Sequence, residues 1–231
     1  MSHDSETVLA VVAHPDDEIL GVGGTLSRHA ETDEVHVCIL SDGVTARYEE
    51  RTKKAENEIQ RRRERARSAC DHLGVKSVHI HEFPDQHFDA VPLLELIQTV
   101  EAKIDQINPS VVYTHHYGDL NIDHELTCKA VQTATRPLRD SSVKRVLAFE
   151  TLSATEWSLP EPSNAFSPTV FVNIADHMEA KLDAMTKYES ELGEPPHPRT
   201  TKTIRQNAHV WGAKTGVEAA EPFELLREVQ R

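Results

Sequence analysis

The sequence has too few cysteines, wrongly spaced, for a disulfide framework or a thiolate metal site. Cys38, Cys70 and Cys128 are odd in number and none belongs to a CxxC pair, so neither arrangement is supported. A reducing compartment, the cytoplasm, is the expected location. Long apolar runs are lacking too: nothing approaches the ~18 consecutive apolar residues of a membrane span. The opening MSHDSE has no basic region leading into an apolar stretch, so neither membrane insertion nor a secretory leader is expected. Positive charge is outweighed, with 25 Lys and Arg against 38 Asp and Glu for a formal net charge of −13. That balance opposes a phosphate backbone, and nucleic acid is discounted as a partner. There is no internal repeat and no Gly- or Ser-rich linker. The chain of 231 residues therefore reads as one domain, 1–231, long enough to bury a full core.

What is present is a regular alternation. The short β-branched run Val8 to Ala13 reads as a buried strand, and Glu18 to Ala30 as the helix that follows it. Further strand signals lie at Val35 to Leu40, Val78 to His81, Val111 to Thr114, Val146 to Phe149 and Val170 to Ile174. Helical patterns fall at Arg51 to Leu73, Leu93 to Ile107, His124 to Leu138 and Ala175 to Glu191. Strands alternating with helices of this length imply an α/β fold, a Rossmann-like, mostly parallel sheet flanked by helices with right-handed crossovers. After the breaker PPHPRTTK from Pro195, Thr203 to Lys214 and Glu221 to Val229 each read as helical. The Pro-containing stretch Leu159 to Pro168 reads as a surface loop. The basic run Arg61 to Arg67, interleaved with Glu64, reads as a solvated helix face.

In such sheets ligands bind beyond the carboxyl ends of the strands, where the candidate residues are to be sought. After the first strand comes His14-Pro15-Asp16-Asp17-Glu18, where a dinucleotide fold would need GxGxxG; the glycines of Gly21-Val22-Gly23-Gly24 are misplaced for it. After the strand Val111 to Thr114 comes His115-His116-Tyr117-Gly118-Asp119-Leu120-Asn121-Ile122-Asp123-His124. In the strand order 3-2-1-4-5 both loops open into one crevice. Two histidines and a carboxylate there would leave a position open for water, as a catalytic zinc requires. The competing reading of HPDDE is a plain helix start, with Asp16 or Asp17 capping and Pro15 in the first turn.

With these motifs the chain resembles the LmbE/PIG-L family of zinc-dependent N-deacetylases. The resemblance rests on AHPDDE at Ala13 to Glu18, then Gly23-Gly24-Thr25, and on the DxNxDH element at Asp119 to His124. It continues through Glu150-Thr151-Leu152-Ser153 and Pro198-Arg199 to Ala220-Glu221-Pro222-Phe223. It implies that His14, Asp17 and His124 hold Zn²⁺, with Fe²⁺ able to occupy the same set, and that Asp16 is the general base. Zinc in that role polarises the acetamide and makes water acidic near neutral pH. The implied substrate is a small-molecule N-acetylated sugar or GlcNAc-type glycoconjugate, which loses acetate; relatives form oligomers, so a homo-oligomer is possible. Alternatives are hydrolysis of another N-acyl amide, in an antibiotic or sugar-thiol precursor, and a non-catalytic sugar-binding relative.

Other residues are weaker candidates. Arg62 aligns with a substrate-contacting arginine and Asp85 with an acidic residue that can bind sugar hydroxyls; a solvated arginine and a turn residue are the bland readings. Arg199, in a proline-bounded loop, could pair with an anionic or hydroxyl-rich ligand or sit in an exposed salt bridge. Asp42 lies on the right edge for substrate contact, or is an ordinary turn aspartate. Asp123 is expected to fix an imidazole tautomer. Of His115 and His116 only one should face the pocket, and His116 and Asp119 are taken as substrate contacts; His79 and His81 are read as structural. Many family members have a histidine where this chain has Asn121, which can donate to an oxyanion but cannot supply a proton. Some have a tyrosine where it has Asp119. The general acid is thus open, and Asp16 is expected to work in both directions.

Overall fold

The computed structural model describes residues 5–44, 46, 52–138, 141–159, 161 and 163–230. Seven strands form one sheet in the order β3-β2-β1-β4-β5-β7-β6. They are β1 (Thr7–Val12), β2 (Glu34–Ser41), β3 (Ser77–Phe83), β4 (Val111–His115), β5 (Arg145–Phe149), β6 (Val170–Asn173) and β7 (Ala220–Glu228). The first five are mutually parallel. The helices are α1 (Asp17–His29), α2 (Lys53–His72), α3 (Leu93–Ile107), α4 (Ile122–Ala134), α5 (Met178–Thr186) and α6 (Thr201–Thr215).

The apolar run of β1 is continuous because both of its faces are covered. Val8, Ala10 and Val12 join the core built with α1, α2 and α5; Leu9, Val11 and Ala13 join the one built with α3 and α4. With β1 and β4 adjacent, the chain reverses its direction of sheet growth between them. The two histidine-bearing loops leave the sheet side by side at that crevice.

The glycines of α1 serve packing. A Cβ on Gly21 would stand 2.1 Å from the Phe149 ring, and one on Gly24 2.8 Å from Ile174. Further along α1, the N–H groups of Gly24 and Thr25 donate to Glu221, whose charge is met by Lys181 at 2.6 Å.

Three expectations are corrected. The segment expected to be helical at Glu221 to Val229 is strand β7, antiparallel to both β5 and β6. Its Glu, Leu and Arg are good helix formers, but pairing on both edges and burial of residues 220–224 outweigh that weak preference. The helix expected over 175–191 is α5 between short 3₁₀ turns at Ala175–His177 and Glu189–Glu191, because the chain turns to bury Tyr188. The fourth-strand helix stops at Ala134, since Pro137 disfavours helix in the residue before it.

Candidate functional site

The loop after β1 and the first turns of α1 and α4 bring three donor atoms together. His14 Nδ1 lies 3.2 Å from Asp17 Oδ2 and 3.3 Å from His124 Nε2, and His124 Nε2 lies 3.3 Å from Asp17 Oδ2. Bonds of about 2.0–2.1 Å in a tetrahedral zinc site set neighbouring donors about 3.3–3.4 Å apart, which is this triangle. The outward ring nitrogens face carboxylates: His14 Nε2 is 3.0 Å from Asp123 Oδ2 and 3.3 Å from Asp85 Oδ1, and His124 Nδ1 is 3.2 Å from Asp119 Oδ1. Such partners draw the ring protons outward and leave lone pairs pointing in. Asp17 Oδ1, fully buried, has no hydrogen-bond partner among the described residues. Inward lone pairs around a buried carboxylate repel one another unless a cation lies between them, so the donor set fits a divalent ion.

The electrostatics lead to the same conclusion. Burial disfavours the charged imidazoles, yet Asp123, Asp17 and Asp85 push His14 up to about 10, and Asp17 and Asp119 push His124 up to about 9. Burial works against Asp17, but His124, His115 and His14 hold its carboxyl well below the usual range. Without a metal, protons on the two rings balance the acidic cluster.

Asp16 is buried, and its backbone is left-handed, with φ 116°. For a residue with a Cβ that region costs on the order of 1–3 kcal/mol, and it survives only where neighbours enforce it. Here the Asp16 carbonyl accepts from Ile19 and Leu20 N–H as α1 begins, and its carboxylate meets Arg199 Nη1 at 2.7 Å. Burial pushes Asp16 up to about 6, with Arg199 opposing and Asp17 adding to the rise. Arg199 is fixed in turn by Nε donation to Ser153 Oγ at 2.6 Å.

A cavity of about 180 Å³ opens above these groups, lined by His14, Asp16, Arg62, Asp85, Asn121 and Arg199 together with Gly43, Ala46, Gln86 and Glu191. Arg62 is the buried member of the otherwise more exposed basic run, donating to Glu191 and to the Pro15 carbonyl. Asn121 caps α4, its Oδ1 accepting from Asp123 N–H at 2.9 Å, and also faces the cavity.

Three expected substrate contacts lie elsewhere. Asp42 accepts from Val44 N–H in a turn, and Gly43 beside it lines the cavity. Asp119 backs His124 and accepts from Thr155 Oγ1 at 2.6 Å. His116 is taken up by Glu224 at 2.6 Å and the Asn164 carbonyl at 2.8 Å, away from the cavity. Of the adjacent pair it is His115 that reaches the site: its Nε2 accepts from Ala13 N–H, and its ring stacks on His124 with centroids 3.9 Å apart. Asp123 does orient an imidazole, but that of His14 rather than its neighbour His124, and it is held by N–H bonds from Gln86 and Phe88. Gln86 and Glu191 were not foreseen; neither belongs to a motif, and only the folded chain brings them to the cavity.

A Rossmann-like sheet with a His, Asp, His triangle at its switch point and a polar cavity above defines a class of α/β protein whose site is able to hold a metal ion. Within that class the chain belongs to the family described as GlcNAc-PI de-N-acetylase (PIG-L), whose profile matches residues 9–135. Among curated proteins it is similar to the diacetylchitobiose deacetylase of Thermococcus kodakarensis, 27% identical over 97% of this chain and 84% of the relative. Among solved structures it resembles the N,N'-diacetylchitobiose deacetylase of Pyrococcus horikoshii, with TM-score 0.77, 20% identity and coverage of 97% and 85% of the two chains. The 4-carboxy-2-hydroxymuconate hydratase of Pseudomonas putida shares the fold as well, with TM-score 0.75, 20% identity and coverage of 98% of each chain. The fold therefore hosts more than one reaction, and the reaction has to be argued from the site.

Proposed function

We propose that this protein is a metal-dependent N-deacetylase that releases acetate from an N-acetylated amino sugar or a GlcNAc-type glycoconjugate. The observation that carries the reading is the donor triangle of His14, Asp17 and His124 with Asp16 beside it at the floor of a polar cavity. Zn²⁺, or Fe²⁺, held by those three residues would supply Lewis acidity towards the acetamide carbonyl and towards water. The chain's own residues do the rest. Asp16, raised to about 6 by burial, is matched to accept a proton from the attacking water near neutral pH and to return it to the departing amine. Arg199 fixes the Asp16 carboxylate, and Asp123 and Asp119 fix the two imidazoles. Asn121 stands at the cavity wall to donate to the oxyanion. Arg62, Asp85 and Gln86 present polar groups to the cavity, which suits a hydroxyl-rich ligand.

The test is a screen of N-acetylated sugars with zinc-loaded protein, reading both acetate and free amine. Asp16→Asn should keep the metal and lose at least ~10²-fold in rate, the lower range for removing a general base. A metal-loaded wild-type protein that releases acetate from none of them, or an Asp16→Asn variant of undiminished rate, would overturn the reading.

A further inference from the structure

The third acid of the HPDDE sequence has no part in the chemistry above, yet it is fully buried two residues from the proposed base. Glu18 sits in the first turn of α1, and its side chain folds back over the start of that helix. Its Oε2 accepts the backbone N–H of Asp16 at 3.0 Å. Its Oε1 accepts the hydroxyl of Tyr188 at 2.5 Å, across 170 positions of sequence. Cys70 of α2 contributes a third donor, 3.9 Å from the same oxygen.

We propose that Glu18, seated on the Tyr188 hydroxyl, is a positioning residue that holds Asp16 in its left-handed conformation and so keeps the Asp16 carboxylate aimed into the cavity. This rests on the reading of Asp16 as the base. The geometry leaves little else for Glu18 to do: it does not line the cavity, one oxygen is spent on the backbone N–H whose direction fixes the turn, and the other is anchored by Tyr188. A left-handed residue with a Cβ relaxes towards other conformations unless each of its groups is held. The carbonyl of Asp16 is held by α1 and its carboxylate by Arg199; the N–H is the remaining point, and Glu18 holds it. Tyr188 is well placed to hold Glu18 in turn. It is fully buried and immediately precedes the turn Glu189–Glu191, whose Glu191 grips Arg62 at the cavity wall. The same short segment thus steadies the base through Glu18 and the substrate side through Arg62.

The experiment compares Glu18→Ala, Glu18→Gln and Tyr188→Phe with wild type in metal content, in kcat and KM for acetate release, and in amide hydrogen exchange at Asp16. Glu18→Ala should lose about 10²-fold in kcat, the scale for a catalytic group displaced by an ångström, with KM and bound metal little changed and the Asp16 amide exchanging freely. Glu18→Gln should restore most of kcat and the amide protection, because its side-chain oxygen still accepts that N–H; Tyr188→Phe should fall between. A Glu18→Ala variant with wild-type kcat and a protected Asp16 amide overturns the proposal, as does a Glu18→Gln variant no better than alanine. Should alanine prevent folding, the glutamine and phenylalanine variants carry the comparison. Should wild type release no acetate, the functional reading alone fails. Asp16 amide exchange then decides the clamp, with unchanged protection in all variants overturning it.

Discussion

At the scale of single residues, the site sets buried carboxylates against its two imidazoles. His14 and His124 carry protons up to about 10 and 9 because acids surround them, and a metal must displace those protons to bind. Binding of Zn²⁺ should therefore tighten as pH rises from 6 to 8 and release close to one proton from each ring. Calorimetry in buffers of different ionisation enthalpy would read that release. His14→Ala, Asp17→Ala and His124→Ala should each lower bound zinc with the fold retained, as a three-ligand site has little redundancy. Full zinc content in all three would remove the ligand assignment. Asn121 caps α4 and is proposed to donate to the oxyanion, and substitution separates the two roles. Asn121→Asp keeps an N-cap of equal quality but sets a carboxylate against the developing oxyanion, so melting temperature should hold while kcat falls by about 10²-fold or more. Asn121→Ala should lose both, the cap contributing about 1 kcal/mol. A fully active Asn121→Ala variant would leave the residue as a cap alone.

At the scale of elements, much was legible because local pattern and tertiary demand agree. The β-branched runs of β1, β2 and β4 leave few other options, and the histidine-rich loops fall where a doubly wound sheet opens. Where the two disagree the sequence misleads. Strand β7 is written in helix-forming residues and takes its conformation from the strands on either side. Asp42, His116 and Asp119 stand in the right loops, yet their side-chain directions are decided by Val44, Glu224 and His124, which the spacing of motifs does not reveal. The glycines of α1 were recognisable only as misfits to a dinucleotide fingerprint; their role is a close approach of helix to sheet. Gly21→Ala should accordingly destabilise the protein by about 1–3 kcal/mol, the usual effect of overpacking, as a lowered denaturant midpoint with an unchanged slope. A Gly21→Ala variant as stable as wild type would mean that Phe149 can swing aside.

At the scale of the whole molecule, long-range polar ties hold the two halves of the chain together. Lys181 and Glu221 join α5 and β7 to α1, and the pair His116 with Glu224 binds the segment at Asn164 and Ser167 to the sheet. Both neighbours of His116 are acceptors, so the ring makes both bonds only when doubly protonated. Burial works against that charge, but Glu224 and the Asn164 carbonyl raise His116 above its ordinary value. A raised folded-state value stabilises fully below about pH 6.5, the unfolded value, and this contribution fades as pH climbs through the raised one. His116→Gln should therefore lower stability by about 1.5–3 kcal/mol at pH 6, the range for bonds to charged groups, and by less at pH 9. Equal losses at both pH values in denaturant titrations would mean that the ring is neutral throughout.

The reversed direction of β7 has a practical side. Because Glu228 pairs with Arg145, where β5 begins, β7 ends at the opposite rim from the cavity, and β1 begins at that same rim with Thr7 beside Glu34. A tether attached beyond either strand would leave from the underside, so molecules anchored to a bead or electrode that way would all present their cavities outward. Immobilised preparations should then keep their cavity mouths open to solvent, whereas random coupling through surface lysines would shade some of them.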